Sequence, residues 1–211
     1  MIDTLDTLAA ALVAAHDGGP LVDKVPEHLI PADMDEVYAL QDRIIGHIGG
    51  VGGWKIAAGA EGEPLCAPIP ANRYFPDGAT LDATKHRFII AEVEVAVRLR
   101  SDVEADADAE AVAAAIEGVL PVLELVGNPF AHRDATERRL QLGDLQSNGA
   151  VIVGPDMNDA IRADLASLPV GLSYDGVTAK ENQSGASWEA IIAALMWLAP
   201  HAAKRGPQHR G

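Results

Sequence analysis

Two apolar segments that carry carboxylates in their middle most constrain how this chain can fold. In Ile89-Ile90-Ala91-Glu92-Val93-Glu94-Val95-Ala96-Val97, Glu92 and Glu94 are two apart, so a strand points both the same way, roughly 6–7 Å apart. In Leu120-Pro121-Val122-Leu123-Glu124-Leu125-Val126, Glu124 stands alone between residues that are apolar on both faces, the pattern of a buried strand. A buried carboxylate without a partner is costly, and like charges side by side repel. A positive group therefore belongs among the three. Three carboxylates without histidine or thiolate suit a hard divalent cation such as Mg²⁺; an arginine such as Arg98 or Arg100 is the other candidate.

The chain has 211 residues and is 48% hydrophobic, enough for a sizeable core in one folding unit. Sixteen basic residues against 31 acidic give a net charge of -15, with no basic stripe, which argues against nucleic acid or an anionic membrane as partner. Part of that acidity is the run Ser101–Glu110, read as a solvated loop opening a helix. Cys66 is the single cysteine and is read as a small core residue, so the expected compartment is the cytoplasm. The start lacks the basic segment of a secretory signal, and the apolar run 190–199 is shorter than the ~20 residues a membrane span needs.

Along the chain, helices are expected over 5–15 and from Met34, with Asp33 as N-cap and Val37, Leu40, Ile44 and Ile48 at helical spacing. These mark an N-terminal helical region, 1–50. From Val51 the pattern turns to short strands broken by Gly and Pro, a β-rich unit over 51–211. Strands are expected at 88–100, 119–126, 149–154 and 168–174, helices at 108–117, 157–167 and 187–204, and a turn at Tyr174-Asp175-Gly176. The mixture is α+β.

Two further segments draw notice. Gly52-Gly53-Trp54-Lys55-Ile56 is neither a phosphate-binding loop nor a dinucleotide fingerprint. Its glycines let the backbone run close to something, and Lys55 either faces a cleft, where it could meet a substrate carboxylate, or snorkels to the surface. Asp144-Leu145-Gln146-Ser147-Asn148-Gly149 is a polar turn before an apolar strand, serving the backbone or placing Asp144 and Ser147 at a strand mouth. The histidines are dispersed and show no metal-binding spacing.

Taken in order, Val37-Tyr38-Ala39-Leu40-Gln41, Gly53-Trp54-Lys55-Ile56, Ala91-Glu92-Val93-Glu94, Pro121–Val126, Asp144-Leu145-Gln146-Ser147, Tyr174-Asp175-Gly176 and Met196-Trp197-Leu198-Ala199 resemble the fumarylacetoacetate hydrolase superfamily. Within it the resemblance, from about Asp33 to Ala199, is to the 2-keto-4-pentenoate hydratase and 4-oxalocrotonate decarboxylase branch. It implies a mixed β-sheet core of the family's C-terminal-domain type. It implies Mg²⁺ or Mn²⁺ on Glu92, Glu94 and Glu124, with Lys55, Asp144 and Ser147 lining the substrate site as catalytic residues. Lys55 would hold the substrate carboxylate or assist proton transfer, and Asp144 would position water.

The implied reaction is hydration of a 2-oxo-alkenoate or its 2-hydroxy-dienoate form in aromatic catabolism. The alternatives are decarboxylation of a 2-oxo-dienedioate, acylpyruvate-type C–C hydrolysis, or a non-catalytic family member. The implied partners are a small 2-oxo acid, further copies in a homo-oligomer, and a related decarboxylase subunit. The chain departs from the pattern in two places. The turn reads Asp-Leu-Gln-Ser where relatives often carry Asp-Asn-x-Ser, and the polar tail 204–211 stands where the family's C-terminal strands are expected.

Overall fold

The computed structural model describes residues 2–57 and 64–206; the polar tail read from the sequence lies, from residue 207 on, outside the described residues. Helix α1 (Leu5–His16) begins at a reciprocal cap: Thr4 Oγ1 accepts from the Thr7 backbone N–H at 3.1 Å, and Thr7 Oγ1 accepts from that of Thr4 at 3.0 Å. Helix α2 (Met34–Ile48) is capped by Asp33, whose carboxylate accepts from the Glu36 N–H at 2.9 Å. Their apolar stripes face one another. Leu8, Leu12, Leu40 and Ile44 form one cluster with Ala67, Phe130, Leu140 and Leu145, so the N-terminal helices share their core with the rest of the chain.

A four-stranded sheet carries the centre of the molecule. Strands β3 (Tyr74–Pro76), β4 (Phe88–Leu99), β5 (Ile116–Gly127) and β6 (Asn148–Val153) lie in the order β3-β6-β5-β4. The β3–β6 pair is parallel and the others antiparallel, so the sheet is mixed. A separate antiparallel pair, β1 (Val51–Ala57) with β2 (Leu65–Pro70), sets Lys55 opposite Ala67 and Trp54 opposite Pro68. Ile69 of β2 packs on Val122 and Val151, with Tyr74, Ala96 and Val153 around them, so this pair sits on the face of the sheet that also bears the glutamates.

Short helices fill the connections: α3 (Ala83–His86), α4 (Ala109–Ala115), α5 (Arg138–Gly143) and α6 (Ile161–Asp164). The expected helix over 157–167 is shorter because Asn158 Oδ1 accepts from the Ala160 N–H at 2.9 Å, an Asx turn that competes with helical bonding, while Met157 bridges to Val119. The helix expected to reach 117 ends at Ala115, since β-branched Ile116 already pairs with Leu99 in the sheet.

Strands β7 (Val170–Tyr174) and β8 (Val177–Asn182) form a hairpin whose Asp175-Gly176 corner has φ of 49° and 77°, the two positive values a tight hairpin turn demands. The last helix, α7 (Trp188–Arg205), is capped by Ser187 and packs Ile192 and Leu195 against Val112 and Ile116. Its far end is anchored on α2 and β1. Arg205 donates through Nε to Asp42 at 2.9 Å and through a guanidinium N–H to Gln41 Oε1 at 3.0 Å, and it lies over the rings of Tyr38 and Trp54. His201 stacks on Trp197 at 5.0 Å and meets Tyr38 edge-on at 4.5 Å. Among the described residues no helix is long and apolar enough to cross a membrane.

Candidate functional site

The register of the sheet brings the carboxylates together. Glu92 faces Glu124 directly across the β4–β5 ladder, Glu94 faces Val122 two pairs further on, and Glu124 faces Val151 of β6. Residues opposite one another share a face and lie about 4.5–5.5 Å apart at Cβ, so all three carboxylates project toward the β1–β2 pair. Glu124 is fully buried, Glu94 half-buried and Glu92 45% exposed, which opens the cluster to solvent on the Glu92 side. One oxygen from each lies within 4.8 Å of the others.

A cation meets them, and it is Lys55 rather than either arginine raised by the sequence. Its ammonium donates to Glu124 Oε2 and lies 4.0 Å from Glu92 Oε2. Arg98 instead pairs with Glu117 and Asp156, and Arg100 donates to the Ile116 carbonyl. Lys55 alternates with Trp54 along β1, so while Trp54 lies against α7, Lys55 points to the sheet. The preceding glycines make this approach possible. A Cβ on Gly52 would stand 2.9 Å from the Tyr74 ring, and one on Gly53 would meet the Tyr74 hydroxyl closer than real side chains come.

The lysine does not neutralise the cluster. Burial, then the charge of Glu124, pushes the Glu94 carboxyl up from 4.5 to about 7, against the pull of Lys55. Burial and the Glu124 charge also raise the Tyr74 phenol, keeping its proton in place. A divalent ion fits this donor set. Each carboxylate offers an oxygen within 4.8 Å of the other two, and hard carboxylate oxygens are what Mg²⁺, Mn²⁺ and Ca²⁺ take as ligands. The surplus negative charge is what such an ion offsets.

Behind Glu124 lies a second polar layer that the sequence reading did not assign. Asn148 Nδ2 donates to Glu124 Oε1 at 2.8 Å, while Asn148 Oδ1 is buried with no hydrogen-bond partner. Buried Arg73 donates to the Asn148 carbonyl; burial lowers its pKa, against the opposing pull of Asp144, Asp17 and Glu124. Asp144 is 1% exposed and turns both oxygens to His16 Nε2, at 2.9 and 3.1 Å. Ser147 accepts from Arg133 at 3.1 Å. Of the residues named from sequence, Lys55, Glu92, Glu94 and Glu124 meet directly, whereas Asp144 bonds His16 and is coupled to them through its charge on Arg73, and Ser147 faces Arg133.

His16 had one legible signal, a position at the end of an alanine-rich helix, which reads as a helix stop and not as a partner for a residue 128 positions away. The turn between Asp144 and Asn148 is strained: Leu145, Gln146 and Ser147 have φ of 50°, 54° and 61° in succession, a left-handed turn that only glycine adopts without cost.

The mixed sheet, the covering strand pair and the helical N-terminal region match solved structures. The 4-oxalocrotonate decarboxylase from Pseudomonas putida G7, complexed with magnesium and adipate, superposes with a TM-score of 0.75 at 21% identity over 96% of this chain and 82% of that one. The chain has the fumarylacetoacetate hydrolase fold. The same decarboxylase complexed with calcium and acetate gives a TM-score of 0.73 at 20% identity, over 96% of this chain and 81% of that one. No family model matches this sequence, and no curated protein does.

Proposed function

We propose that the chain is a fumarylacetoacetate hydrolase superfamily lyase for a small 2-oxo acid, dependent on a divalent metal. Its reaction is addition of water to a 2-oxo-alkenoate or 2-hydroxy-dienoate. The convergence of Glu92, Glu94 and Glu124 within 4.8 Å, beside Lys55, carries this reading. Glu92, Glu94 and Glu124 would hold Mg²⁺ or Mn²⁺, which would supply the Lewis acid that polarises the 2-oxo group. Lys55, on a flexible stem at the edge of the cluster, serves as the charge that receives the substrate carboxylate. Tyr74 keeps its proton and so can act as a neutral donor beside Glu124.

One observation favours a second reading within the same class, decarboxylation of a 2-oxo-dienedioate. Hydration needs a group that orients water, yet both oxygens of Asp144 are engaged by His16. Loss of CO₂ needs the metal and the cation but no water-positioning carboxylate. The likeness to a structure named as a decarboxylase supports the same direction.

Product analysis separates the two. The protein with Mg²⁺ and a 2-hydroxy-dienoate is expected to give a hydroxy-keto acid, and with a 2-oxo-dienedioate the second reading gives CO₂. Glu124→Gln is expected to abolish both the turnover and the rise in melting temperature on adding Mn²⁺, the signature of binding to the native state. A Glu124→Gln protein that keeps the Mn²⁺-induced rise refutes the metal assignment.

A further inference from the structure

We infer that Lys55 and the divalent ion compete for Glu124, so that this lysine sets how tightly the carboxylate cluster holds metal. The inference rests on the metal reading above and goes beyond it. Both oxygens of Glu124 are already engaged: Oε1 accepts from Asn148 and Oε2 from Lys55. The side chain is fully buried, so an ion reaches it only from the side of the cluster where Lys55 and Glu92 stand. A cation ligated by Glu124 together with Glu92 and Glu94 would share these carboxylates with the Lys55 ammonium, which already bonds Glu124 and lies 4.0 Å from Glu92 Oε2.

The two donors are not equal. Asn148 is buried, and its backbone carbonyl is fixed by Arg73, so its amide belongs to the rigid wall behind the glutamate. Lys55 is 13% exposed and carries its charge on four rotatable carbons at the edge where Glu92 reaches solvent. It is the partner that can leave. Its ammonium also lies 4.0 Å from Glu92 Oε2, close enough to repel a doubly charged ion at the same carboxylates. Removing the charge frees Glu124 Oε2 and removes that repulsion, so both effects tighten metal binding. The same removal leaves three acidic groups facing one another when no metal is added, which weakens the metal-free fold.

The test measures Mn²⁺ affinity by titration calorimetry and metal-free melting in a chelator, for the full chain and its Lys55→Met and Lys55→Arg variants. Lys55→Met is expected to bind Mn²⁺ at least tenfold more tightly than the parent and to melt lower in chelator. Lys55→Arg, which keeps the charge, is expected to return both quantities toward the parent values. If Lys55→Met fails to fold, Lys55→Gln keeps the side-chain length and answers the same question. Equal or weaker Mn²⁺ binding without the lysine charge, with binding still abolished by Glu124→Gln, overturns the competition and leaves the metal site standing. No Mn²⁺ binding by the parent or the Lys55 variants overturns both.

Discussion

Glu92 and Glu124 stand directly opposite each other on adjacent antiparallel strands, one nearly half exposed and the other sealed from solvent. Like charges in that relationship destabilise a sheet, and Glu94, next along the same face, has its carboxyl raised from 4.5 to about 7 by burial first and by the Glu124 charge second. Between these values the folded protein holds a proton that the unfolded chain has released. That proton favours folding, so its contribution is full below about 4.5 and is lost as pH rises through about 7. In chelator, the melting temperature is expected to fall over this window relative to Glu94→Gln, which lacks the titrating group. Parallel melting curves for the two proteins from pH 4.5 to 8 would contradict this.

His16 is the partner of a carboxylate that is 1% exposed. His16→Ala leaves Asp144 buried without it, a loss on the order of 3 kcal/mol or more. His16→Ala with Asp144→Ala should cost less than the sum of the two single changes. A double-mutant cycle in urea measures the coupling.

Tyr74 lies across the two glycines that precede Lys55. Gly53→Ala should therefore cost about 1–3 kcal/mol through overpacking. Pairing it with Tyr74→Leu, which removes the opposing hydroxyl, should recover part of that loss. Thermal denaturation of the three variants reads the outcome.

Gln146 sits in the middle of the left-handed triplet, and its side-chain Nε2 is buried without a hydrogen-bond partner. Glycine removes the backbone strain and the orphaned donor together. Gln146→Gly is expected to raise stability by about 0.5–1 kcal/mol. The midpoint of chemical unfolding reports it.

Arg205 joins α7 to α2 through Asp42 and Gln41 and covers Tyr38 and Trp54. Arg205→Ala should destabilise the protein by on the order of 2 kcal/mol. Arg205→Lys should recover only part of this, because an ammonium cannot fork between two acceptors while stacking on a ring. Calorimetric melting separates the three proteins.

The elements most legible in the sequence were those with strong local rules. Asp33 marked the start of α2, Asp175-Gly176 marked the hairpin corner, and the alternation through Glu92 and Glu94 marked β4 with its carboxylates on one face. The meeting of those glutamates with Glu124 was legible because a lone charge in an apolar strand demands company. The identity of the company was not. Whether Lys55 or an arginine stands beside Glu124 depends on how β1–β2 lies over the sheet, a tertiary fact without a local signal. His16 with Asp144, and Arg73 with Asn148, were hidden for the same reason, since each pair joins residues distant in sequence. The helix expected at 157–167 starts late, at Ile161, because the Asn158 side chain diverts the backbone before it.

The aromatic surroundings of His201 give the molecule a built-in optical gauge. Trp197 is stacked on that imidazole and Trp54 meets it edge-on, on the strand that carries Lys55. Two of the chain's three indoles thus report on one junction. Loosening of α7 parts these rings and so changes the indole emission, which lets the seating of that helix be followed by fluorescence without attaching a dye.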